Sequence, residues 1–299
     1  MKLKYNLHNL LAAIGALMVL VSSASAVVVY WDSNGATAGF GTANGTWGTS
    51  AWWNTESTGT PAPTITDTTA DDDVVFGTSL NSYGGTVTTN AALFANSITF
   101  GGTGNTTLSG TGNITLGNGT DGAGGVTRDG TGTSRIDTNV TLANSQTWTN
   151  NAAGSLIFDN GGNRTLNIGT HGLTLSGSGD FNINRNNDNF GSLSGSGTLT
   201  VNNTGRVELR GNNTGFTGDI VINNGGSLIW GNVGSLGTNN NITISSGVLE
   251  GRWQNLFTRS LGDGANQVQI TGGASGFGNN NGGSAIRLNN DANFEVVWG

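Results

Sequence analysis

Arg206, Glu208 and Arg210 are the residues whose types and spacing come closest to a catalytic group. They alternate with Val207 and Leu209, so period-two geometry places all three charges on one outward strand face and the apolar pair inward. Acidic residues beside a cation on such a face can cleave polysaccharides by acid–base chemistry. The other interpretation is a solvated strand in which Glu208 pairs weakly with both arginines. The sequence favours this second interpretation.

The sequence gives little support for catalysis by a nucleophile or a histidine, or for a metal site. The chain has no cysteine and two histidines, and His8 lies in the leader segment described below, which leaves His171 in a Gly-rich turn. One histidine cannot build a His-based zinc site, and no Gly-x-Ser-x-Gly nucleophile elbow occurs. The acidic run at residues 71–73 is more typical of a solvated surface than of a hard-cation site. We therefore predict no catalytic residue, no metal site and no cofactor.

Aromatic residues are concentrated in an early segment that also ends with the two prolines, Pro61 and Pro63. Four of the eight tryptophans fall within 23 positions: Trp31, Trp47, Trp52 and Trp53. Exposed, Trp47, Trp52 and Trp53 would stack on sugar rings and form a glycan-binding face. Buried, they would seal the open end of a fold made of stacked strands. The sequence favours the cap.

The first 26 residues have the features of a secretory signal peptide. Lys2 and Lys4 provide a positive start, an apolar run covers residues 10–21, and an Ala-Ser-Ala motif ends at Ala26. This order is typical of a cleaved export signal, and we expect cleavage between Ala26 and Val27. Twelve apolar residues are too few to span roughly 30 Å of hydrocarbon comfortably.

The composition of the remaining chain excludes several classes of protein. Glycine, asparagine and threonine make up about 45% of all residues, while charged residues make up 10%. Removal of the leader leaves no lysine and nine arginines against 18 acidic residues, a net charge of −9. Phosphate backbones require clustered cations, so we predict no nucleic-acid partner. Without cysteine, stability must come from a long buried interior rather than from disulfides.

Short apolar pairs separated by Gly-rich turns recur from about residue 84 onward. The pattern Leu-Ser-Gly-[Ser/Thr]-Gly-x-Φ-x-Φ, where Φ is apolar, begins at Leu108, Leu175 and Leu193. It predicts a turn that leads into a strand with alternate residues inward. Such short strands cannot build a core alone, but stacked coils share one continuous interior. Gly and Asn suit the corners because they tolerate positive φ angles, and stacked Asn side chains can form hydrogen-bonded ladders.

The sequence therefore predicts an all-β fold, a parallel β-solenoid of the β-helix type with coils of roughly 20–25 residues. A β-sandwich, which also uses many short strands, is the competing architecture. Outward threonines, among them Thr115, Thr174, Thr200 and Thr243, are unevenly spaced along the chain. This spacing argues against the regular threonine array of an ice-binding solenoid.

Residues 191–250 closely resemble the autotransporter-associated β-strand repeat, also called the passenger-associated transport repeat. Residues 195–201 match the Gly-x-Gly-Thr-Leu-x-Φ start of that repeat. Residues 209–218 match its Leu-x-Gly-x-Asn-x-aromatic-Thr-Gly segment, with Phe216 where the family usually has tyrosine. A strand at 220–222, an Asn-Gly-Gly turn and Leu228 follow. Residues 84–190 and 251–299 are similar in texture but match more weakly.

The resemblance implies a right-handed parallel β-helix exported as a passenger to the surface of a Gram-negative-type bacterium. In this family the repeat is linked to transport across the outer membrane, and passengers are often adhesins or surface scaffolds. We therefore expect a signal peptide at 1–26, a Trp-rich capping region at 27–83 and a β-helical repeat region at 84–299.

The expected function is a non-enzymatic stalk or adhesin whose partners are extracellular glycans or a host or neighbouring cell surface. A secreted glycan-binding module centred on the early tryptophans is one alternative, and a polysaccharide-active β-helix enzyme is another. An autotransporter also needs a membrane barrel after its passenger, and the sequence ends at Gly299 without one. We expect a fragment of a longer product that meets the outer membrane only through a barrel absent from this chain. A complete module released by another route is the alternative.

Overall fold

The computed structural model describes residues 26–78, 83–184, 192–253 and 256–290, so the predicted signal peptide up to residue 25 lies outside the described residues. These ranges contain 27 strands and two single-turn 3₁₀ helices, Val233–Leu236 and Leu288–Asn290. The strands are β1 Val28–Trp31, β2 Gly45–Thr46, β3 Trp53–Asn54, β4 Asp73–Phe76, β5 Gly85–Thr88, β6 Ala92–Ala95, β7 Ser97–Phe100, β8 Thr106–Leu116, β9 Gly125–Arg128, β10 Ser134–Leu142, β11 Gln146–Asn150, β12 Leu156–Phe158, β13 Leu166–Asn167, β14 Leu173–Gly177, β15 Phe181–Ile183, β16 Leu193–Ser194, β17 Leu199–Asn203, β18 Arg206–Leu209, β19 Ile220–Asn223, β20 Ser227–Trp230, β21 Ile242–Ser245, β22 Val248–Arg252, β23 Leu256–Phe257, β24 Ser260–Leu261, β25 Gln267–Gly272, β26 Gly276–Asn281 and β27 Ala285–Ile286.

Two long sheets run the length of this structure. The first has 12 strands in the order β24-β25-β21-β19-β17-β14-β11-β9-β7-β4-β1-β3. The second has 13, with the path β2-β5-β8-β10-β12-β15-β18-β20-β22-β26 and with β6, β13 and β16 beside it. Pairing in both sheets is parallel except between β1 and β3. The predicted all-β parallel β-helix is confirmed. Neither of the 3₁₀ turns in the described ranges is long or apolar enough to cross a membrane.

The core is built from inward residues that stack in register from coil to coil. Leu175 pairs with Val201, Val201 with Ile222 and Ile222 with Ile244, and all four side chains are fully buried. The coil from Val201 to Ile222 has 21 residues, whereas an earlier one, from Ile98 to Val126, has 28. Coil length varies somewhat more than predicted, but each apolar pair still meets its neighbour because the extra residues lie in the turns.

The three copies of the Leu-Ser-Gly pattern occupy different places in the coil, which the sequence did not indicate. The copy at Leu108 lies within the single strand β8 of the second sheet. The copy at Leu175 passes from β14 in the first sheet to β15 in the second, and the copy at Leu193 passes from β16 to β17 in the opposite direction. The prediction of a turn is therefore wrong for the first copy.

Close packing between coils explains why all three copies share their glycines. A Cβ on Gly177, whose φ is +104°, would lie 2.2 Å from the carbonyl oxygen of Asn150 in the preceding coil. A Cβ on Gly197 would lie 1.7 Å from the carbonyl oxygen of His171. The pattern thus marks where one coil passes directly over another, whether the chain turns there or continues as a strand.

Asparagine takes the corner and ladder positions that the composition predicts. Asn224 has a φ of +52° at the turn between β19 and β20. Asn239 and Asn266 stack in neighbouring coils: the Asn239 backbone N–H donates to Asn266 Oδ1 at 3.0 Å, and Asn266 Nδ2 donates to Asn239 Oδ1 at 3.2 Å. These contacts satisfy corner groups that would otherwise depend on water.

The segment before residue 84 pairs directly with the coils that follow it. Val29 of β1 pairs with Val74 of β4, which pairs in turn with Ile98 of β7. In the second sheet, β2 pairs with β5. The division into a capping region at 27–83 and a repeat region from 84 remains a prediction, with strands on both sides of it in the same sheets.

The outer face of the first sheet is more regular than the sequence spacing indicates. Thr147, Thr174 and Thr200 pair in register, and Thr243 continues the same column after Val221. The expectation of unevenly spaced threonines is wrong for this column, because coils of unequal length still align their strands, whereas Thr115 lies in β8 of the second sheet. Val221 interrupts the column, so the face lacks an unbroken threonine array.

Candidate functional site

The early tryptophans form a packed cluster at the first end of the solenoid. Trp31, Trp47 and Trp53 are fully buried. The Trp53 ring centroid lies 5.1 Å from that of Trp31, 5.0 Å from that of Trp47 and 5.4 Å from that of Phe76. Trp52 is half-buried and stacks on Trp31 at 5.7 Å.

This placement bears on the two interpretations of Trp47, Trp52 and Trp53. Stacking on a sugar needs an exposed ring face, and the fully buried Trp47 and Trp53 have none. The Trp47 Nε1–H is also engaged, since it donates to Thr68 Oγ1 at 3.2 Å. The burial favours a capping role, which remains a prediction.

Replacement of Trp53 by alanine tests that role. We expect the free energy of unfolding to fall by about 3 kcal/mol, because the change opens a cavity among three aromatic rings. Trp52→Ala, at a half-buried position, is the matched control and should cost clearly less. Chemical denaturation measures both variants, and equal losses would contradict a cap centred on Trp53.

The charged face predicted at Arg206, Glu208 and Arg210 is present, but its pairing differs from the expectation. Val207 and Leu209 point inward and are fully buried, as predicted. Glu208 forms ion pairs with Arg252 and, at 3.7 Å, with Arg210. The expected pair between Glu208 and Arg206 is not seen among the described residues.

Arg252 takes the place of Arg206 because it reaches Glu208 from β22, two strands along the sheet. Arg206 is exposed at the start of β18, where solvent competes with any weak ion pair.

Trp253 completes this face, and no pattern in the sequence indicated it. The guanidinium carbons of Arg210 and Arg252 lie 4.3 Å and 4.2 Å from the Trp253 ring, which is 38% exposed. Three neighbouring strands pair through Leu209, Trp230 and Gly251. The next residues along the chain are Arg210, Gly231 and Arg252, which therefore lie side by side. A Cβ on Gly231 would approach the Trp253 ring to 3.4 Å. The same Cβ would lie only 2.8 Å from Arg210 Cγ, so the missing side chain of Gly231 mainly gives Arg210 room beside the indole.

A groove of about 180 Å³ beside this face is lined by Asp180, Asn182, Arg206, Glu208 and Arg252, among others. Its charges are mixed, and its central carboxylate is neutralised by two guanidinium groups. A general acid or base has to exchange a proton with a substrate, so this arrangement supports a structural ion pair better than proton transfer.

No local pattern in the sequence indicates a second carboxylate, Asp159, because its partners come from a loop and from the next coil. It is fully buried. Its oxygens accept hydrogen bonds from the backbone N–H groups of Gly161, Gly162 and Arg164 at 3.1, 2.6 and 3.1 Å, and from Ser192 Oγ at 2.7 Å. Because four hydrogen-bond donors bind its two oxygens, the Asp159 carboxylate stabilises this corner from inside.

Burial raises the pKa of the nearby Asp137 above its ordinary 3.8, and the charge of Asp159 adds to the effect. The native state therefore holds this proton more tightly than the unfolded chain does, and ionisation of Asp137 at neutral pH costs native stability. We expect Asp137→Asn to raise the melting temperature slightly at pH 7. The gain should shrink as pH falls through the raised pKa and vanish below 3.8.

Melting curves of Asp137→Asn between pH 3 and 7 check this expectation, with exposed Asp129→Asn as the control. An amide at position 137 can still accept the hydrogen bond from the Asn160 backbone N–H, which is 2.8 Å long in the native chain. A gain that persists unchanged at acid pH would contradict the assignment.

The other residues singled out in the sequence lie in ordinary positions. His171 is half-buried in a bend, and Ala26 and Val27 are exposed just before β1. Asp73 Oδ1 accepts hydrogen bonds from Asn96 Nδ2 and Ser97 Oγ at 2.8 and 2.6 Å. Within the described ranges, no three acidic or histidine side chains are grouped so that they could hold a metal ion.

Comparison with known proteins adds a relative to this picture. No family model and no solved structure matches the chain. The chain is 28% identical over 217 residues, 71% of its length, to the adhesin BmaC autotransporter of Brucella suis biovar 1 (strain 1330). The matched stretch covers 5% of that much longer protein. The chain is thus related to an autotransporter adhesin.

Proposed function

We propose that this chain is a non-enzymatic β-helical segment of an exported, adhesin-like protein at the surface of a Gram-negative-type bacterium. The similarity to an autotransporter adhesin over 71% of the chain carries the proposal. Two continuous parallel sheets support it, because they give the chain an extended outer surface rather than a single enclosed site.

The proposed segment acts as a stalk that also offers contact surfaces. Each coil adds about 4.8 Å along the axis, so stacked coils hold binding groups away from the cell. The two outer faces differ in character: threonine and serine dominate the first, whereas the second carries Glu208, Arg210 and Arg252. Adhesion would be spread over such faces, with extracellular glycans or a neighbouring cell surface as partners.

We further propose that the repeats assist export across the outer membrane, as the resemblance to the autotransporter-associated β-strand repeat implies. Each new coil pairs with the one before it, as β17 does with β14 and β19 does with β17. Coils that form outside the membrane would therefore hinder backward movement of the chain.

Deletion of residues 84–290 from the native gene tests the adhesive role. Adherence of the producing bacterium should fall, while an antibody against the rest of the product reports how much of it reaches the surface. Excess purified chain should block adherence of the unmodified bacterium. Unchanged adherence at an equal surface level would contradict the proposal.

The alternatives have less support from the described residues. A glycan-binding module centred on Trp47, Trp52 and Trp53 would need exposed rings, whereas Trp47 and Trp53 are fully buried and Trp52 is half-buried. A polysaccharide-active enzyme centred on Arg206 and Glu208 would need a carboxylate free to exchange protons, and Glu208 is held by two other arginines.

A further inference from the structure

A pocket of about 300 Å³ lies between two consecutive coils near the later end of the described chain. Trp230 and Leu236 line it from one coil, and Phe257 and Arg259 line it from the next. The rings of Trp230 and Phe257 have centroids 6.1 Å apart. The volume is at the lower end of the range for ligand sites, ~300–1,000 Å³, which suits one small molecule or one unit of a polymer.

Arg259 brings a cation to this pocket without a carboxylate to balance it. Its Nη1 donates to the carbonyl oxygen of Asn240 at 2.8 Å and its Nη2 to that of Leu236 at 3.5 Å. These bonds use two of the five N–H groups of the guanidinium. No acidic side chain in the described ranges lies within ion-pair distance of it, although acidic residues outnumber arginines two to one in the chain after residue 26.

The charge of Arg259 persists although the side chain is half-buried. Desolvation lowers its pKa to about 10, so the guanidinium is protonated at neutral pH. Arg259 is half-buried, and a cation partly removed from water is stabilised by an anion. A planar carboxylate can accept two parallel N–H bonds from an arginine. The pocket therefore lacks the group that would best stabilise it.

Other polar groups on the pocket walls have unused hydrogen-bonding capacity. Thr258 and Ser260 also line the pocket. Together with Arg259, Thr258 and Ser260 provide a cation and two hydroxyls at half-buried positions, whereas the Trp230 and Phe257 rings are 0% and 3% exposed and form the closed part of the wall. A sugar acid has matching groups, since its carboxylate can accept N–H bonds from an arginine and its hydroxyls can bond to other hydroxyls.

We propose that this pocket binds one carboxylate-bearing sugar unit of an acidic glycan, a hexuronate. Arg259 would hold the carboxylate, and the side-chain hydroxyls of Thr258 and Ser260 would form hydrogen bonds with the sugar hydroxyls. The site does not depend on the proposed stalk function, because the pocket belongs to the folded chain whether or not that chain acts as a stalk.

Saturation-transfer NMR and calorimetric titration of the full chain test this site with D-galacturonate and D-glucuronate. D-galactose and D-glucose are the matched neutral probes. We expect binding of a uronate and at least about tenfold weaker binding of its neutral match, because a hydrogen-bonded charge pair is lost. Equal binding of acid and neutral sugars, or no binding of either uronate, would overturn the proposal.

Three variants assign any binding to this pocket. Arg259→Gln should weaken uronate binding about tenfold or more, whereas Arg135→Gln on β10, several coils away, should leave it unchanged. Thr258→Trp should block the pocket while Arg259 stays, which keeps the test valid if Arg259→Gln fails to fold. A variant is used only if its circular dichroism spectrum matches that of the native chain, which shows that it folds. Uronate binding that survives both pocket variants would overturn the assignment.

Discussion

Simultaneous replacement of Leu199, Val201, Ile220 and Ile222 by alanine should leave the chain without a cooperative fold. All four side chains are fully buried and stack on one another in β17 and β19. Each large-to-small change in a core typically costs about 2–5 kcal/mol. Four such losses approach or exceed the whole stability of a typical domain, about 5–15 kcal/mol. Circular dichroism and thermal unfolding of the purified chain would show the loss.

The outward residues of the same two strands provide a matched control. Thr200, Asn202, Val221 and Asn223 alternate with the core residues and are half-buried on the outer face. Alanine at all four positions should leave a cooperative transition. Survival of the fold in the core variant, or equal damage in both, would contradict a solenoid interior at these residues.

Asn213→Ala should lower the free energy of unfolding by about 3–5 kcal/mol. The Asn213 side chain is fully buried. Its Oδ1 accepts hydrogen bonds from the backbone N–H groups of Ser192 and Leu193 at 2.9 and 3.0 Å. Its Nδ2 donates to the carbonyl oxygens of Arg210 and Ser235 at 3.1 and 2.8 Å. Alanine removes all four bonds and leaves buried backbone groups without partners, at about 1–3 kcal/mol each before relaxation.

The adjacent Asn212 is exposed and serves as the control for this experiment. Asn212→Ala should change stability by no more than about 0.5 kcal/mol, as is usual for a surface position. Denaturant titration of both variants gives the comparison. Similar losses at the two positions would show that Asn213 does not link three coils as described.

The repeated apolar pairs were sufficient to predict the fold, because inward position depends only on alternation within a strand. Val207 and Leu209, for example, were assigned inward from the sequence, and both are fully buried. Period-two geometry acts over a few residues, so the prediction needs no knowledge of coil length.

Contacts between coils could not be predicted from the sequence, because coil length varies. Glu208 meets Arg252, 44 positions later, and no local pattern connects the two. Trp253 beside Arg210 and the pocket at Arg259 depend in the same way on how the later coils align. The three Leu-Ser-Gly copies were predicted to have the same turn, and this was wrong for a related reason. A glycine that avoids a neighbouring carbonyl is needed both within strands and at corners, so the shared glycines do not mark a turn.

The cell-surface location of the intact native protein decides whether this chain belongs to an exported adhesin-like protein. An antibody against residues 192–250 would be used on intact bacteria before and after treatment with an external protease. We expect that the antibody labels intact cells and that the protease removes the signal while a cytoplasmic marker stays intact. Labelling that appears only after the cells are lysed, and that survives external protease, would contradict an exported adhesin-like β-helix.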